Sequence, residues 1–399
     1  VKVCVVGGGG REHALADVLG RTAEVVVTPG NPGIPGSAPE APDDADLYVI
    51  GPEQPLVEGL ADRWRAQGRR VLGPGVDGAR LEGSKAWMKE LFAQAGIPTA
   101  RHGTFDALDA ALAYLGTMSP PYVLKTDGLA AGKGVLVTES IAEARAALGE
   151  YLSGAAFGDA GRTVVIEEGL TGPELSVFAL CDGTRAVLLG EARDHKRVGD
   201  GDQGPNTGGM GAFSPAEPPS VAEEAMDRFV EPTLAALRSQ GIDYRGVLFA
   251  GLMLTPDGPK ILEYNVRLGD PECQVLLPRL EGDVAELFAQ AAAGALRDTP
   301  RLNADSVVTV VCASEGYPAS PRVGDVIEGI DDARELEGVS VYCAGVGAGP
   351  DGSLVTAGGR VLNVCGRGPT LEIARERAYA GVGCISWPGM HHRRDIAAG

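Results

Sequence analysis

Residues Lys2 to Leu19 read KVCVVGGGGREHALADVL, a short apolar run, four glycines, and then a segment with helical spacing from about Glu12 to Leu19. A strand that turns through glycines into a helix opens a parallel α/β unit. Working outward, EVVV (24–27), LYVI (47–50) and RRVL (69–72) read as further strands. An amphipathic helix is predicted over Leu56–Gln67, with Leu56, Leu60 and Trp64 on one face as a helix lying on a sheet requires. Strands alternating with helices through the first eighty or so residues predict a doubly wound parallel sheet.

The pattern changes at Gly83. A helix over Lys85–Ala95 leads through Gly96-Ile97-Pro98 to paired strands, YVLK (122–125) and GVLV (134–137), around a glycine loop, and then to a helix with a capping box at Ser140 and Glu143. Strands recur at TVVIEE (163–168), ELSVFAL (174–180) and RAVLLG (185–190). An irregular glycine-rich loop is expected from Arg193 to Pro215, followed by a helix over Ala222–Gln240 and the strands RGVLFAGLML (245–254) and PKILEYN (259–265). Beyond Arg301 the chain is β-rich with one late helix over Leu371–Val382. The reading is an α/β and α+β multidomain protein with units 1–83, 84–300 and 301–399.

Composition narrows the function. The 399 residues carry 35 basic and 54 acidic side chains, a net charge of −19, which repels a phosphate backbone, and no basic block offsets it. Nucleic acid is excluded as a partner. No apolar stretch approaches the roughly 20 residues needed to cross a bilayer, and no charged leader precedes Val1, so a soluble, unexported chain is expected. Seven widely spaced cysteines, an odd number, read as reduced core residues of a cytoplasmic protein, not as disulfides or a zinc site. Only seven of the 35 basic residues are lysines, and Lys85, Lys125, Lys133 and Lys196 all fall in segments that carry chemistry on other grounds.

Five segments carry that chemistry. GGGGREH (7–13) places backbone N–H groups at a helix N-terminus, where an anion can bind. As a dinucleotide fingerprint it fails, because Glu12 or His13 stands where the third glycine should permit close packing; a phosphate monoester suits it better, and a ligand-free turn is the alternative. KTDGLAAGKGV (125–135) resembles a P-loop, but its glycine spacing is one residue short and Gly134 replaces the hydroxyl that would hold magnesium. A glycine hairpin carrying Lys133, with Lys125 on the incoming strand, suits a flap over the phosphates of ATP; an ordinary flexible hairpin is the alternative. In ILEYNVRLGDPE (261–272) the strand period places Glu263, Asn265 and Arg267 on one face, and a carboxylate beside an amide carbonyl supplies hard oxygen ligands for Mg²⁺. VVIEEGLTGPEL (164–175) has the shape of a connector between lobes. DHKRVGDGDQGPNTGGMGAFSP (194–215) is too long and glycine-rich for a mere connection.

Together with PGNPG, GPEQPLVEGL, LEGSK, GIPTA and VLNVCGRGPTLEIARERAY, these segments other than VVIEEGLTGPEL resemble, in order from Gly7 to Tyr379, the glycinamide ribonucleotide synthetase family (phosphoribosylamine–glycine ligases) of the ATP-grasp superfamily. The resemblance implies an ATP-grasp core with a mobile lid at about 98–170 and a β-rich C-terminal domain. It implies a cytoplasmic ligase of purine biosynthesis that joins glycine to 5-phosphoribosylamine, with ATP as co-substrate and Mg²⁺ or Mn²⁺ as cofactor. Lys85 and Lys125 would contact ATP phosphates, and the loop Gly132, Lys133 and Gly134 would close over them. Glu167, Glu168 and Leu170 would hold adenine, mainly through backbone groups, with Glu174 on the ribose. Glu263 and Asn265 match the metal ligands. Asp194, Lys196 and Arg267 are assigned to glycine and its acyl phosphate, Gly9, Asn31 and Glu53 to phosphoribosylamine, and Asn206 to substrate generally. The chain departs from many ATP-grasp enzymes in carrying Ala250, Gly251, Leu252 and Met253 where the preceding strand often supplies another acidic ligand.

Overall fold

A computed structural model describes residues 1–128, 134–154 and 162–398. The N-terminal sheet has four parallel strands in the order Glu24–Pro29, Lys2–Gly7, Leu47–Ile50, Val71–Leu72. Alternation along Lys2–Gly7 serves two cores. Val3 and Val5 pack with Ala14, Leu15 and Val18 of the helix Gly10–Leu19, while Cys4 joins Tyr48, Leu56 and Ala61 on the other face. The helix expected over Leu56–Gln67 is two helices, Glu53–Val57 and Leu60–Ala66. Gly59 breaks it with a φ of +79°, and a Cβ there would meet Val76 Cγ2 at 2.9 Å. The buried face is therefore Leu56 with Ala61, and Leu60 and Trp64 are only partly covered.

A second sheet is antiparallel, in the order His102–Phe105, Val164–Glu168, Tyr122–Thr126, Val135–Thr138, with helices Leu108–Leu115 and Ile141–Leu152 on one face and a core of its own built on Leu115, Leu124, Leu148 and Ile166. The capping box at Ser140 is only half made. Ser140 Oγ accepts from Glu143 N at 3.2 Å, but the Glu143 carboxylate turns to Thr138 Oγ1, which itself accepts from Ser140 N at 3.0 Å.

The third sheet has eight antiparallel strands in the order Gly258–Asn265, Arg245–Thr255, Glu174–Asp182, Ala186–Asp194, Gly211–Ser214, Ser306–Ala313, Arg360–Gly368, Val339–Cys343. It runs unbroken across residue 300, because Gly211–Ser214 pairs with Ser306–Ala313. The segment expected as an irregular loop is mostly ordered strand, with a hairpin of Arg197–Gly199 and Gln203–Asn206 before Gly211–Ser214. All seven cysteines are free and six are buried. Among the described residues no helix is long and apolar enough to cross a membrane.

Candidate active site

At the N-terminal turn Glu12 does not obstruct packing. Its carboxylate folds back to accept from Gly9 N at 2.7 Å and from Arg11 Nε at 2.6 Å. Gly7 and Gly51 make the room, since a Cβ on either would fall 2.5 or 2.0 Å from Glu12 atoms. The helix N-terminus thus holds a carboxylate of its own at Gly9, which opposes an anion at that one position. Burial, reinforced by the charge of Arg334, pushes the His13 imidazole down to about 4, and its Nδ1 accepts from Cys343 N at 2.8 Å. Asn31 welds loops together: its amide donates to Gly8 O at 2.9 Å and Ala344 O at 3.1 Å, and its carbonyl accepts from Gly33 N at 2.8 Å.

Lys85 opens the helix Lys85–Ala95, whose cap is Ser84 Oγ accepting from Trp87 N, and Lys85 Nζ donates to Gly128 O at 3.0 Å. Asp127 ties this helix to the lid by accepting from Ala86 N and Ser84 Oγ, both at 3.1 Å. Lys125 reaches Glu167 at 3.2 Å and Leu262 O at 3.4 Å. Glu167 also meets Lys89 at 3.2 Å, and all three side chains are almost wholly buried. Burial brings Lys89 down to about 8 although Glu167 pulls the other way. Burial also lowers Lys85 against the pull of Glu263, whereas for Lys125 burial is outweighed by Glu167 and Glu263 and its pKa rises. Glu167 sits mid-sheet, in register with His102 and Val123 on either side. Its side chain braces Lys125, and the strand ends one residue further on, at Glu168. There Glu168 accepts from Arg101 N at 2.9 Å and meets Lys260 at 3.2 Å, and Leu170 is half-buried at the strand exit. Gly134 is buried at the base of the glycine hairpin; Gly132 and Lys133 lie outside the described residues.

The strand Gly258–Asn265 carries a bulge: Gly251 pairs with Glu263 but Leu252 with Ile261, so Leu262 is the extra residue. The bulge lets Ile261 and Tyr264 both enter the core while Glu263 and Asn265 turn the other way, half-buried. Asn265 Oδ1 accepts from Arg267 Nη2 at 3.2 Å, and Glu263 has no hydrogen bond among the described residues. No group of three or more His, Cys, Asp or Glu among the described residues could hold a metal. One free carboxylate beside one amide oxygen is the protein share expected for Mg²⁺, which keeps water and phosphate as its other ligands, so the residues present fit the ion.

Arg267 is heavily engaged. It lies 3.2 Å from Glu53 and 2.7 Å from Glu82, and Glu82 also accepts from Val266 N at 2.8 Å. Burial raises the Glu82 carboxyl against the pull of Arg267, and burial of Glu53 is outweighed by Arg267, leaving its pKa lowered. At the end of Ala186–Asp194, Lys196 bridges Asp194 at 3.1 Å and Glu174. Beside them lies Glu272, 5% exposed, the last residue of the stretch ILEYNVRLGDPE. Burial, then the negative charge of Asp194, raises its carboxyl to about 7 against the pull of Lys196 and Arg267. Asn206 stands exposed on the hairpin, paired in register with Arg197.

Of the C-terminal segment HHRRDIAAG, for which the sequence offered no role, residues 391–395 clamp that hairpin. Arg393, 1% exposed, meets Asp395 at 2.7 Å and Asp202 at 2.6 Å and donates to Arg197 O at 3.1 Å. His391 Nε2 lies 2.8 Å from Val198 O, and Asp200 accepts from Arg394 N at 2.8 Å. Arg360 fastens the other edge, meeting Asp270 at 2.9 Å and donating to Gly208 O at 2.6 Å. Neither arginine stands in a recognisable motif, and only the fold brings them to the loop.

A connected line of charge therefore runs from Lys85 and Lys125 past Glu263 to Glu174, Lys196, Asp194 and Glu272, and through Arg267 to Glu53. Comparison with known proteins finds relatives over nearly the whole chain. Family models match for the phosphoribosylglycinamide synthetase N domain at residues 1–82, the ATP-grasp (A) domain at 83–273 and the C domain at 307–399. A phosphoribosylamine–glycine ligase of Mesorhizobium japonicum is 48% identical, over 99% of this chain and 97% of that protein. The chloroplastic phosphoribosylamine–glycine ligase of Arabidopsis thaliana is 46% identical over 97% of this chain and 78% of its own length. The crystal structure of the phosphoribosylamine–glycine ligase of Thermotoga maritima superposes with a TM-score of 0.88 at 36% identity, covering 99% of this chain and 100% of that one. A Hydrogenobacter thermophilus biotin carboxylase domain, 17% identical with a TM-score of 0.74 over 98% of this chain and 91% of its own, shares the fold.

Proposed function

The chain belongs to the phosphoribosylglycinamide synthetase family, and we propose that this line of charged residues runs the family's ATP-dependent ligation of glycine to 5-phosphoribosylamine by way of glycyl phosphate. The observation that carries this reading is the connected line of charge, which offers cations for phosphate, oxygens for a metal and mixed charge for a zwitterion along one continuous series of side chains. Lys85 and Lys125 hold the ATP phosphates, with the loop Gly132–Gly134 as their cover. The linker from Glu167 and Glu168 to Leu170 meets adenine, and Glu174 the ribose. Glu263 and Asn265 would hold Mg²⁺, or Mn²⁺ in its place, which when bound neutralises phosphate charge and polarises the transferring group. Asp194, Lys196 and Arg267 face glycine. Gly9, Asn31 and Glu53 face phosphoribosylamine, and Asn206 serves substrate binding generally. Six buried free cysteines suit a reducing, cytoplasmic setting.

A carboxylate acylates poorly until phosphate becomes its leaving group. A glycine carboxylate oxygen attacks the γ-phosphorus; the new P–O bond forms as the bond to ADP breaks, and the charge on the transferring oxygens is met by Lys85 and Lys125. The phosphoribosylamine nitrogen then attacks the acyl carbon, the C–N bond forms, inorganic phosphate leaves and the nitrogen loses a proton. Glycyl phosphate reacts readily with water, which gives a covering lid its purpose. ADP release measured with phosphoribosylamine generated in situ should require glycine, ATP and Mg²⁺ together. Equal turnover with bicarbonate or formate in place of glycine would refute the reading.

A further inference from the structure

Glu82 has no task in the reaction as described, yet both oxygens of its carboxylate are committed to the residues just past the strand Gly258–Asn265. It sits near the end of the helix Val76–Gly83, with a side chain 9% exposed. Oε2 accepts from Val266 N at 2.8 Å and Oε1 from Arg267 Nη2 at 2.7 Å. The ladder with Arg245–Thr255 ends at the pair Phe249 and Asn265, so Val266 N is the first donor beyond it, in a residue 1% exposed. Glu82 supplies the acceptor that a buried backbone N–H requires.

Arg267 passes this constraint to Asn265. Nε donates to Glu53 at 3.2 Å, Nη1 to Leu268 O at 3.3 Å, and Nη2 serves both Glu82 and, at 3.2 Å, Asn265 Oδ1. A guanidinium is planar and its N–H groups form a rigid fork, so an acceptor on one N–H of Nη2 decides where the other points. It points at Asn265, and an amide accepts from a cation only through its oxygen. Oδ1 is thereby turned toward Arg267, with one lone pair taken and the other left for a second cation. A flipped amide would set its own N–H groups against the arginine and offer a metal no ligand.

We propose that Glu82 is a positioning residue for the metal site: through Arg267 it holds the Asn265 amide with its oxygen available to Mg²⁺. This rests on the reading of Glu263 and Asn265 as metal ligands and deepens it. Either oxygen of the Glu263 carboxylate can serve a cation, whereas the Asn265 amide can serve one from a single side. Asn265 is therefore the ligand whose orientation has to be built. Outer partners that orient a ligand are worth roughly tenfold to a hundredfold in metal affinity.

Calorimetry of ADP binding with and without Mn²⁺, used as the divalent probe, tests this without turnover. The quantity read is the factor by which Mn²⁺ tightens ADP binding. E82Q keeps the size of the side chain but leaves one acceptor for two donors; it should lower that factor roughly tenfold or more, with the affinity for ADP alone within a few-fold. R267Q removes the donor to Asn265 and should lower the factor likewise, which decides the question on its own if E82Q does not fold. Adding E82Q to R267Q should lower it no further, because Glu82 acts through Arg267. An unchanged factor in R267Q, a full additional loss in the double variant, or equal weakening of ADP binding with and without Mn²⁺ in E82Q would overturn the positioning role. N265L tests the reading beneath it and should abolish the tightening. A wild-type factor in N265L would refute the metal site itself, whereas a loss in N265L with none in E82Q or R267Q would refute only the part assigned to Glu82.

Discussion

Replacing Glu167 by Gln tests the brace beneath Lys89 and Lys125. The carboxylate lies 3.2 Å from both Lys89 and Lys125, with side chains 2, 1 and 7% exposed in turn. Removing the charge leaves two buried ammonium groups facing an amide, and breaking a buried ion pair from one side costs about 3–5 kcal/mol. The cost depends on pH in a definite direction. Burial has already brought Lys89 down to about 8 from 10.5, so the folded state prefers it neutral, and the stability it withholds at pH 7 returns as pH rises through that value. Without Glu167 the Lys89 pKa falls further, whereas at pH 9 the wild-type lysine is itself mostly neutral and has less to lose. The E167Q penalty should therefore be largest near pH 7 and clearly smaller at pH 9, with a remainder from Lys125. Thermal unfolding at the two pH values measures it, together with amide exchange over Tyr122–Thr126 and Val164–Glu168, which should accelerate. ATP affinity should weaken as Lys125 loses its anchor. A penalty under about 1 kcal/mol, or one identical at pH 7 and 9, would refute the brace.

Three further outcomes are expected. E263Q and N265L should each lower turnover on the order of a hundredfold and raise the Mg²⁺ concentration needed for half-maximal rate, with folding intact; near-normal turnover at low Mg²⁺ would show that the pair does not serve the metal. His13 is lowered from 6.5 to about 4 by burial, so it contributes stability that is complete above its unfolded value and is lost as pH falls through that window, up to roughly 3 kcal/mol. Acid titration of stability should be flatter in that range for H13Q, and an unchanged slope would refute the assignment. R393M should free the Arg197–Asn206 hairpin, costing about 1–3 kcal/mol and raising the glycine KM through Asp194 and Lys196, with faster proteolysis within 197–206 as the direct readout.

Where the sequence was legible, one short period carried the information. Alternation in KVCVV and the glycine turn after it specify the parallel sheet, because both faces of that strand are filled by its near neighbours in the chain. The same period puts Glu263 and Asn265 on one face, and the bulge at Leu262 turns that face away from Ile261 by absorbing the residue that would otherwise have put Ile261 and Glu263 on one side. The helix over 56–67 was misread because periodicity counts apolar spacing and is blind to backbone handedness. A single left-handed Gly59 against Val76 outweighs it.

The functional centre was legible only in part, since its electrostatics are made between segments far apart in the chain. Lys89 looks like an ordinary surface lysine on an amphipathic helix until the lid strand brings Glu167 to it. Glu272 looks like a helix-opening acid until the third sheet sets Ser176 and Asp194 beside it. The 193–215 segment was read as irregular because its glycines predict no ladder. Its order comes from elsewhere: Arg393 and Arg360, hundreds or tens of residues distant from their partners, satisfy its backbone carbonyls and acids. The same clamp has a functional consequence. Asp194 and Lys196 lie at the mouth of a loop whose far side is held by the C-terminal residues. The geometry of the proposed glycine pocket therefore depends on the last few residues of the chain as directly as on the strand that carries it.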